Sequence, residues 1–311
     1  MKWPPFSSCY DSSVSSANKN PGTLWIVATP IGTIGDLSPR AREVLSQVER
    51  ILAEDTRRAR SLLSHIGLPS RGRLQSLHEH NEQRQVPALI YDLRGGASLA
   101  LVSDAGTPVL SDPGFVLVRA AIDAGVRVCS VPGASSFTAA IAASGQPPLP
   151  ATLCGFLPAR KGPRRRRISE LGSCPWTLAV LMSPHRLARE LADLAEILGG
   201  DREATLLAEI SKLHERSIKA TLGELAGCSE VDRPRGEYIL VVGPRVDGGE
   251  PSEVDEDAVR SAYRSALSEG LVRREALRRT ARLFGLRRRQ VFDLLVDDDG
   301  RRRHDPSPPD D

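Results

Sequence analysis

Three short runs hold the residues best placed to do chemistry. Ser103 to Gly114 reads SDAGTPVLSDPG, twelve residues with two Ser-Asp pairs, two Gly and two Pro. A loop that long and stiff between a strand and a helix is more than a connection. Its backbone N–H and C=O groups can hold a small polar ligand without charged side chains. Pro132-Gly133-Ala134-Ser135-Ser136 opens a helix with small residues, which let a ligand approach the backbone and the helix N-terminus. His78-Glu79-His80-Asn81-Glu82 puts two His one residue apart on a strand face with no third ligand nearby. A polar or substrate-facing loop fits that run better than a metal, and no metal site is expected. The turn Pro30 to Asp36 carries Gly32 and Gly35 but is not GxGxxG, and no GxxxxGK[ST] occurs. The usual dinucleotide and P-loop signatures are therefore absent.

Two zones are locally basic. Arg160, Lys161 and Arg164 to Arg167 place six basic residues in eight positions. They read as a solvated loop leading into a helix, or as an arm that touches phosphates. Arg273, Arg274, Arg278, Arg279, Arg282 and Arg287 to Arg289 lie on two C-terminal helices around Gly285. Helix, glycine turn and helix with basic residues resembles a small nucleic-acid-binding element. Leu277, Ala281, Leu294 and Leu295 supply the apolar residues that a packing module needs.

The elements that position these runs alternate. Strands are predicted at Thr23 to Thr29, Arg50 to Ala53, Leu74 to Leu77, Ser98 to Val102 and Arg127 to Val131. Helices are predicted from Pro39, with Ser38 as cap, and over Arg57 to Ile66, Gln83 to Arg94, Gly114 to Ala124 and Phe137 to Ser144. Strands alternating with helices argue for a mostly parallel sheet. The polar runs follow strands and precede helices, where open α/β sheets bind ligands. Gln146 to Pro150 (QPPLP) marks a boundary. Beyond it, strands at Thr152 to Phe156, Thr177 to Met182, Ala204 to Glu209 and Tyr238 to Val242, with a helix over His185 to Leu198, form a second α/β unit. The expected organisation is a disordered extension over 1–22, α/β domains over 23–147 and 148–246, a helical element over 252–297, and a disordered tail over 298–311.

Composition sets outer limits. Aromatics are 4% of the 311 residues, so the core must be Leu, Val, Ile and Ala. The formal net charge is +3, so any argument for nucleic acid has to rest on local clusters. Five scattered Cys with no CxxC pair speak against a disulfide framework or a structural zinc, and fit a reducing compartment. The first 21 residues lack the apolar stretch of a signal peptide, and no apolar run spans a membrane. A cytoplasmic protein is expected.

Taken in order, VATPIGTIGD, AEDTRRARSLL, HEHNE, ALVSDAGTPVLSDPG, VPGASS, GFLPARKG, MSPHR and KLHE resemble one family. It is the ribosomal small-subunit methyltransferase I family, the cytidine-2′-O-methyltransferases of bacterial 16S rRNA in the tetrapyrrole-methylase superfamily. The similarity covers about Leu24 to Val242 and the helical piece after Glu269. The chain departs from the family pattern at Thr33, where Asn is usual, and at Met182, where Glu is common. It departs again at Glu209-Ile210-Ser211-Lys212, which replaces Arg-Glu-Leu-Thr-Lys.

The resemblance implies two α/β domains with S-adenosylmethionine in the cleft between them, a homodimer, and a ribose 2′-hydroxyl of 16S rRNA or the small subunit as methyl acceptor. It implies cofactor contacts at Pro30, Ser103, Asp104, Ala105, Gly106, Thr107, Pro132, Gly133, Ser135 and Ser136, and at Met182, Ala208 and Gly243 of the second domain. RNA contacts are expected at Arg160, Lys161, Arg164, Arg165, Arg166, Arg186, Arg287 and Arg288. A ribose hydroxyl is a weak acid, so a general base helps. Glu54, Asp55, His78, His80, Glu209 and Lys212 are candidates, Lys212 only if burial lowers its pKa. Two readings compete on the same fold: a tetrapyrrole ring-carbon methylase and a non-catalytic ribosome-assembly factor. A third is a helix-turn-helix regulator with an α/β ligand domain.

Overall fold

The alternation of short apolar runs with amphipathic helices builds two sheets. The computed structural model describes residues 21–245, 256–284 and 288–296. Residues 1–20 of the expected extension, Gly285, Arg287 and the tail lie outside them. The chain divides into two units, one through Arg245 and one from Val246 onward.

The first unit holds two lobes. The first lobe runs β1 (Thr23–Val27), α1 (Pro39–Gln47), β2 (Arg50–Ala53), α2 (Thr56–His65), β3 (Leu74–Ser76), α3 (Glu82–Arg94), β4 (Leu99–Val102), α4 (Phe115–Asp123), β5 (Arg127–Val131) and α5 (Ser136–Ala143). Its sheet is parallel throughout, in the order β3-β2-β4-β1-β5. The helices α1 and α2 bury Val44, Leu45 and Leu63 on one face, and α3 and α4 bury Leu89, Leu93 and Leu117 on the other. With both faces covered, β4 (LALV) is buried at every residue, as a central parallel strand must be. Ser38 caps α1 by accepting from the Ala41 N–H at 3.1 Å, with Pro39 at the first helical position.

The second lobe runs β6 (Ala151–Phe156), α6 (Lys161–Gly172), β7 (Thr177–Met182), α7 (Leu187–Leu198), β8 (Glu203–Ala208), β9 (Arg216–Thr221), α8 (Leu222–Ala226) and β10 (Tyr238–Val242). The sheet order is β6-β7-β10-β8-β9. Only β6 and β7 pair in parallel. β10 is antiparallel to β7 and to β8, and β8 to β9. The mostly parallel arrangement that the alternation of strands and helices predicts is found in the first lobe, and the second sheet is mixed. β9 (RSIKAT) is an edge strand whose polar residues hid it from an apolar-run reading, and it forms a hairpin with β8.

One helix crosses the expected boundary. α5 follows the first sheet in sequence but packs on the second, where Ala140 meets Ala179, Leu207, Ile239 and Val241. The Thr205 hydroxyl donates to the Ser144 carbonyl at 2.8 Å just beyond that helix. The opposite face of the second sheet is covered by α6, α7 and α8 through Ile168, Leu191, Leu222 and their neighbours.

The second unit contains α9 (Glu256–Ser268), α10 (Arg273–Phe284) and α11 (Arg288–Val296). Val259, Ala281 and Val291 form its core, with Leu277, Phe284, Leu294 and Leu295 packed around them. Three helices are described where two were expected. The turn of sequence before Arg273 carries Val259 and Ala266 at helical spacing, which the polar flank masked. Among the described residues no helix is long and apolar enough to cross a membrane.

Candidate active site

The loops after β1, β4 and β5 emerge from three adjacent strands of the first sheet, at their carboxyl ends. Backbone bonds lace them together. The Thr29 N–H donates to Gly106 O at 2.8 Å and the Gly106 N–H returns to Thr29 O at 3.1 Å. The Ser103 hydroxyl donates to the Gly106 carbonyl at 2.8 Å, so this buried serine braces the turn. The Thr107 hydroxyl reaches Ala134 O at 3.4 Å. Gly133 lies close to β1's end: a Cβ there sits 3.0 Å from the Ala28 Cβ, tighter than an ordinary contact.

A cavity of about 400 Å³ lies against these loops. The first lobe contributes Ile31, Arg58, Asp104, Ala105, Asp112 and Ser136 to its wall, and the second contributes Met182, Ser183, Ile210, Glu237, Tyr238 and Ile239. Of the expected cofactor contacts, the wall therefore includes Asp104, Ala105, Ser136 and Met182. Pro30 and Gly106 flank wall residues in sequence, and Pro132, Gly133 and Ser135 belong to the third loop. Ala208 ends β8 beside Tyr238, buried in the core. Gly243 is corrected: it follows the far end of β10, five residues from Tyr238 and roughly 16 Å away at strand rise. There it donates to Glu203 O and accepts from Arg202. Because β10 is antiparallel, its N-terminal end faces the cavity.

The backbone around the cavity is strained in both lobes. Val109 and Ser111 have φ of 76 and 69, and Glu209 and Ser211 have 56 and 66. Left-handed non-glycine residues cost roughly 1–3 kcal/mol each and concentrate at functional sites. The strained loop of the second lobe is tied across to the turn after β1 in the first. The Thr33 hydroxyl donates to Ser211 O at 2.6 Å, the Ser211 hydroxyl stands 3.1 Å from the Thr33 N–H, and the same hydroxyl bonds Asp36. Gly32 makes the approach possible, since a Cβ there lies 2.6 Å from the Ser211 carbonyl carbon. Thr33 and Ser211 are two positions where the sequence departs from its family pattern, and they meet.

The candidate bases sort by environment. Asp55 caps α2 and is held well below the usual carboxylate range by its hydrogen bonds from the Arg57 side chain and backbone. Burial pulls the Lys212 ammonium down, but its bonds to Glu209 at 2.9 Å and to Glu237 at 3.3 Å outweigh that and hold it above the ordinary lysine value. The lowered pKa that Lys212 needed is absent. Glu209 is held low by the same contact with Lys212. His78 and His80 stack edge-on at 6.0 Å, outside the cavity wall. Among the described residues no three His, Cys, Asp or Glu side chains group to hold a metal.

Sequence reasoning did not nominate Asp112. It lies on the cavity wall, and burial, then the charges of Glu54 and Asp104, push its carboxyl up to about 6. The neighbouring Asp104 accepts from the Asp55 N–H at 3.2 Å and faces Arg58 at 3.5 Å. The signal was present as the second Ser-Asp pair of SDAGTPVLSDPG.

The basic arm is mostly a helix, α6. Arg164 is corrected as an RNA contact. It is 3% exposed, on the face it shares with Ile168 and Leu171, and is paired with Asp193 at 2.7 Å. Arg165 is divided between Asp193 and Glu196, and Arg186 is bonded to Glu190 at 2.7 Å. Arg160, Lys161 and Arg166 are exposed, as is Arg288 in the second unit.

The profile of Tetrapyrrole (Corrin/Porphyrin) Methylases matches residues 23–226. The chain belongs to this family. Among tetrapyrrole methylases it is 48% identical to ribosomal RNA small subunit methyltransferase I of Xylella fastidiosa strain Temecula1, over 71% of this chain and 81% of that one. It is 40% identical to the protein of the same name from Pseudomonas aeruginosa, over 90% of this chain and 99% of that one. In fold it is similar to uroporphyrin-III C-methyl transferase from Thermus thermophilus complexed with S-adenyl homocysteine, at a TM-score of 0.51 and 21% identity, over 71% of this chain and 97% of that one. This tetrapyrrole methylase is a methyltransferase.

Proposed function

We propose that the chain transfers a methyl group from S-adenosylmethionine to the ribose 2′-hydroxyl of a cytidine in the decoding region of 16S rRNA. The match along nearly the whole of the Pseudomonas relative carries this reading. The cavity suits the methyl donor. Its volume falls in the range of roughly 300–1,000 Å³ typical of small-molecule sites. Its wall pairs apolar Ile31, Met182 and Ile239 with the carboxylates of Asp104 and Asp112, which complement a cationic ligand. S-adenosylmethionine supplies, when bound, a methyl group activated by the positive charge on its sulfur.

The chain's own residues supply position and a proton acceptor. Holding two reactants in line is worth roughly 7–11 kcal/mol. Loops from both lobes, tied by Thr33 and Ser211, are suited to that task. We assign proton acceptance from the ribose hydroxyl to the Asp112 carboxylate, which is ionised at neutral pH yet more basic than an ordinary aspartate. Asp104→Ala is expected to weaken S-adenosylmethionine binding by roughly ten-fold in calorimetry, the loss of one charge-assisted contact. Unchanged affinity in a folded variant takes Asp104 out of the cofactor site.

The RNA footprint includes Arg160, Lys161 and Arg166. Replacing all three by Gln is expected to lower the log–log salt slope of small-subunit binding by about 2–3, near 0.7–0.9 per phosphate. Arg164→Gln leaves that slope in place. An unchanged slope in the triple variant moves the footprint elsewhere.

The resemblance also supports a homodimer acting in the cytoplasm. Sedimentation that gives only monomer removes the dimer. The direct test of function is incubation with labelled S-adenosylmethionine and small subunits lacking the ribose methylation, then nuclease digestion and mass spectrometry. A 2′-O-methylcytidine is the expected product. Cofactor binding without transfer to RNA overturns the substrate.

A further inference from the structure

Phe156 ends β6 at 56% exposure on the cavity wall. The backbone is built to put it there. β6 and β7 pair in register from Ala151 opposite Thr177 to Leu153 opposite Ala179, then the register shifts so that Gly155 opposes Val180 and Phe156 opposes Leu181. Cys154 is the extra residue of a bulge, and Gly155 takes a left-handed φ of 66, open to glycine at little cost.

The shift decides which face Phe156 occupies. In unbroken alternation it shares a face with Cys154, which packs into the core under α6, α7 and α8 together with Val180 and Met182. A one-residue slip moves a strand's side chains to the opposite face. Phe156 therefore stands beside Leu181, on the face that also carries Ile239, and both of those residues line the cavity. The first-lobe loop passes over the bulge, with the Ser111 hydroxyl oxygen 3.6 Å from the position a Gly155 Cβ would take. Beside Ser111 in that loop, Leu110 is 52% exposed on the same cavity wall. A bulge that takes a phenylalanine out of a core and leaves it open to water sacrifices burial, so the exposed ring has another use.

We propose that Phe156 is the platform on which the base of the target nucleotide stacks, with Leu110 as a second apolar wall. This rests on the RNA reading above. To present its ribose in a cavity between two lobes, a nucleotide has to leave its stack, and the lost base–base contact must be replaced. An aromatic face replaces it for any base. Arg160 and Lys161, exposed and only a few residues beyond Phe156, are placed to meet the phosphates that accompany the base. Phe156 is thus a positioning residue that sets affinity for RNA and leaves the cofactor untouched.

The test uses the full chain, unmethylated small subunits and S-adenosylmethionine, with wild type active on the subunits as the reference. Phe156→Ala is expected to raise the KM for subunits roughly ten- to a hundred-fold, the range of one base–aromatic stack. Its calorimetric affinity for S-adenosylmethionine and its melting temperature stay at the wild-type values. Phe156→Tyr restores most of the loss, and Phe156→Leu does not. A wild-type KM in Phe156→Ala, or full rescue by Leu, overturns the stacking role. Equal weakening of cofactor binding assigns the ring to the cofactor wall instead and also overturns it. If wild type itself leaves the rRNA unmethylated, the substrate reading has failed, an outcome distinct from all of these.

Discussion

Asp112→Asn is expected to slow methyl transfer by about 10²–10⁴-fold, the usual contribution of a general base, while making the protein more stable at neutral pH. The two effects share one cause. Burial and the charges of Glu54 and Asp104 push the Asp112 carboxyl from the ordinary 3.8 up to about 6, and the cation Arg58, on the same cavity wall, pairs with Asp104 at 3.5 Å. A carboxyl whose pKa is raised on folding favours the folded state when protonated. That stability is complete below about pH 4 and is lost as pH rises through about 6. At pH 7.5 the ionised side chain is therefore a penalty that asparagine removes. A shift of this size, discounted for the solvent that screens a half-open carboxyl, is worth about 1 kcal/mol, or roughly 2–4 °C in melting temperature for a chain this long. The wild-type rate should climb with pH through a midpoint near 6 to a plateau above about 7, and the limb should vanish in Asp112→Asn. Steady-state rates from pH 5 to 8, with thermal unfolding over the same range, read both effects. A variant that keeps the wild-type rate and the limb returns the proton acceptor to Glu54 or the histidines.

The first lobe was open to sequence reading because its signals are local. β5 spans Arg127–Val131 as the apolar run predicts, and the Ser38-Pro39 start of α1 depends on residues three apart. The loops Ser103 to Gly114 and Pro132 to Ser136 fall where strands end, so their convergence follows from a parallel sheet. The second lobe was less legible because its determinants are distant. Arg164 looked like one more charge in a basic run. Its burial depends on Asp193, twenty-nine residues away, though its spacing with Ile168 and Leu171 marked the inner face of a helix. Lys212, in the β8–β9 turn, looked available as a base until Glu237, just before β10, came beside it. Gly243, a cofactor contact by resemblance, follows the end of β10 that lies away from the cavity, because direction within a mixed sheet is set by pairing, which periodicity does not encode. Asp112 was missed because its pKa comes first from burial, then from Glu54 at the end of β2 and Asp104 in its own loop, and burial is set by packing that the run of residues does not show.

Gly32→Ala is expected to cost about 2–6 kcal/mol of stability and to weaken S-adenosylmethionine binding by more than ten-fold. An alanine methyl at this position meets the Ser211 carbonyl carbon at 2.6 Å and the Lys212 Cγ at 2.7 Å, well inside contact distance. One of these neighbours is backbone, and Ser211 already sits at a positive φ, so neither loop yields cheaply. Overpacking costs about 1–3 kcal/mol. Separation of the loops also breaks the two Thr33–Ser211 hydrogen bonds, each worth about 0.5–1.5 kcal/mol. The same movement shifts Ile210 and Ile31, which stand on opposite lobes of the cavity wall. A displacement of about 1 Å at a reacting centre can cost 10²-fold in rate, so turnover should fall further than affinity. Thr33→Val separates the two contributions: it keeps the glycine and the shape but removes one donor, and should cost only about 1 kcal/mol. Thermal unfolding with calorimetric titration of the cofactor reads all three proteins. Wild-type melting and affinity in Gly32→Ala would mean that the loops part freely and that something other than this clasp sets the spacing of the lobes.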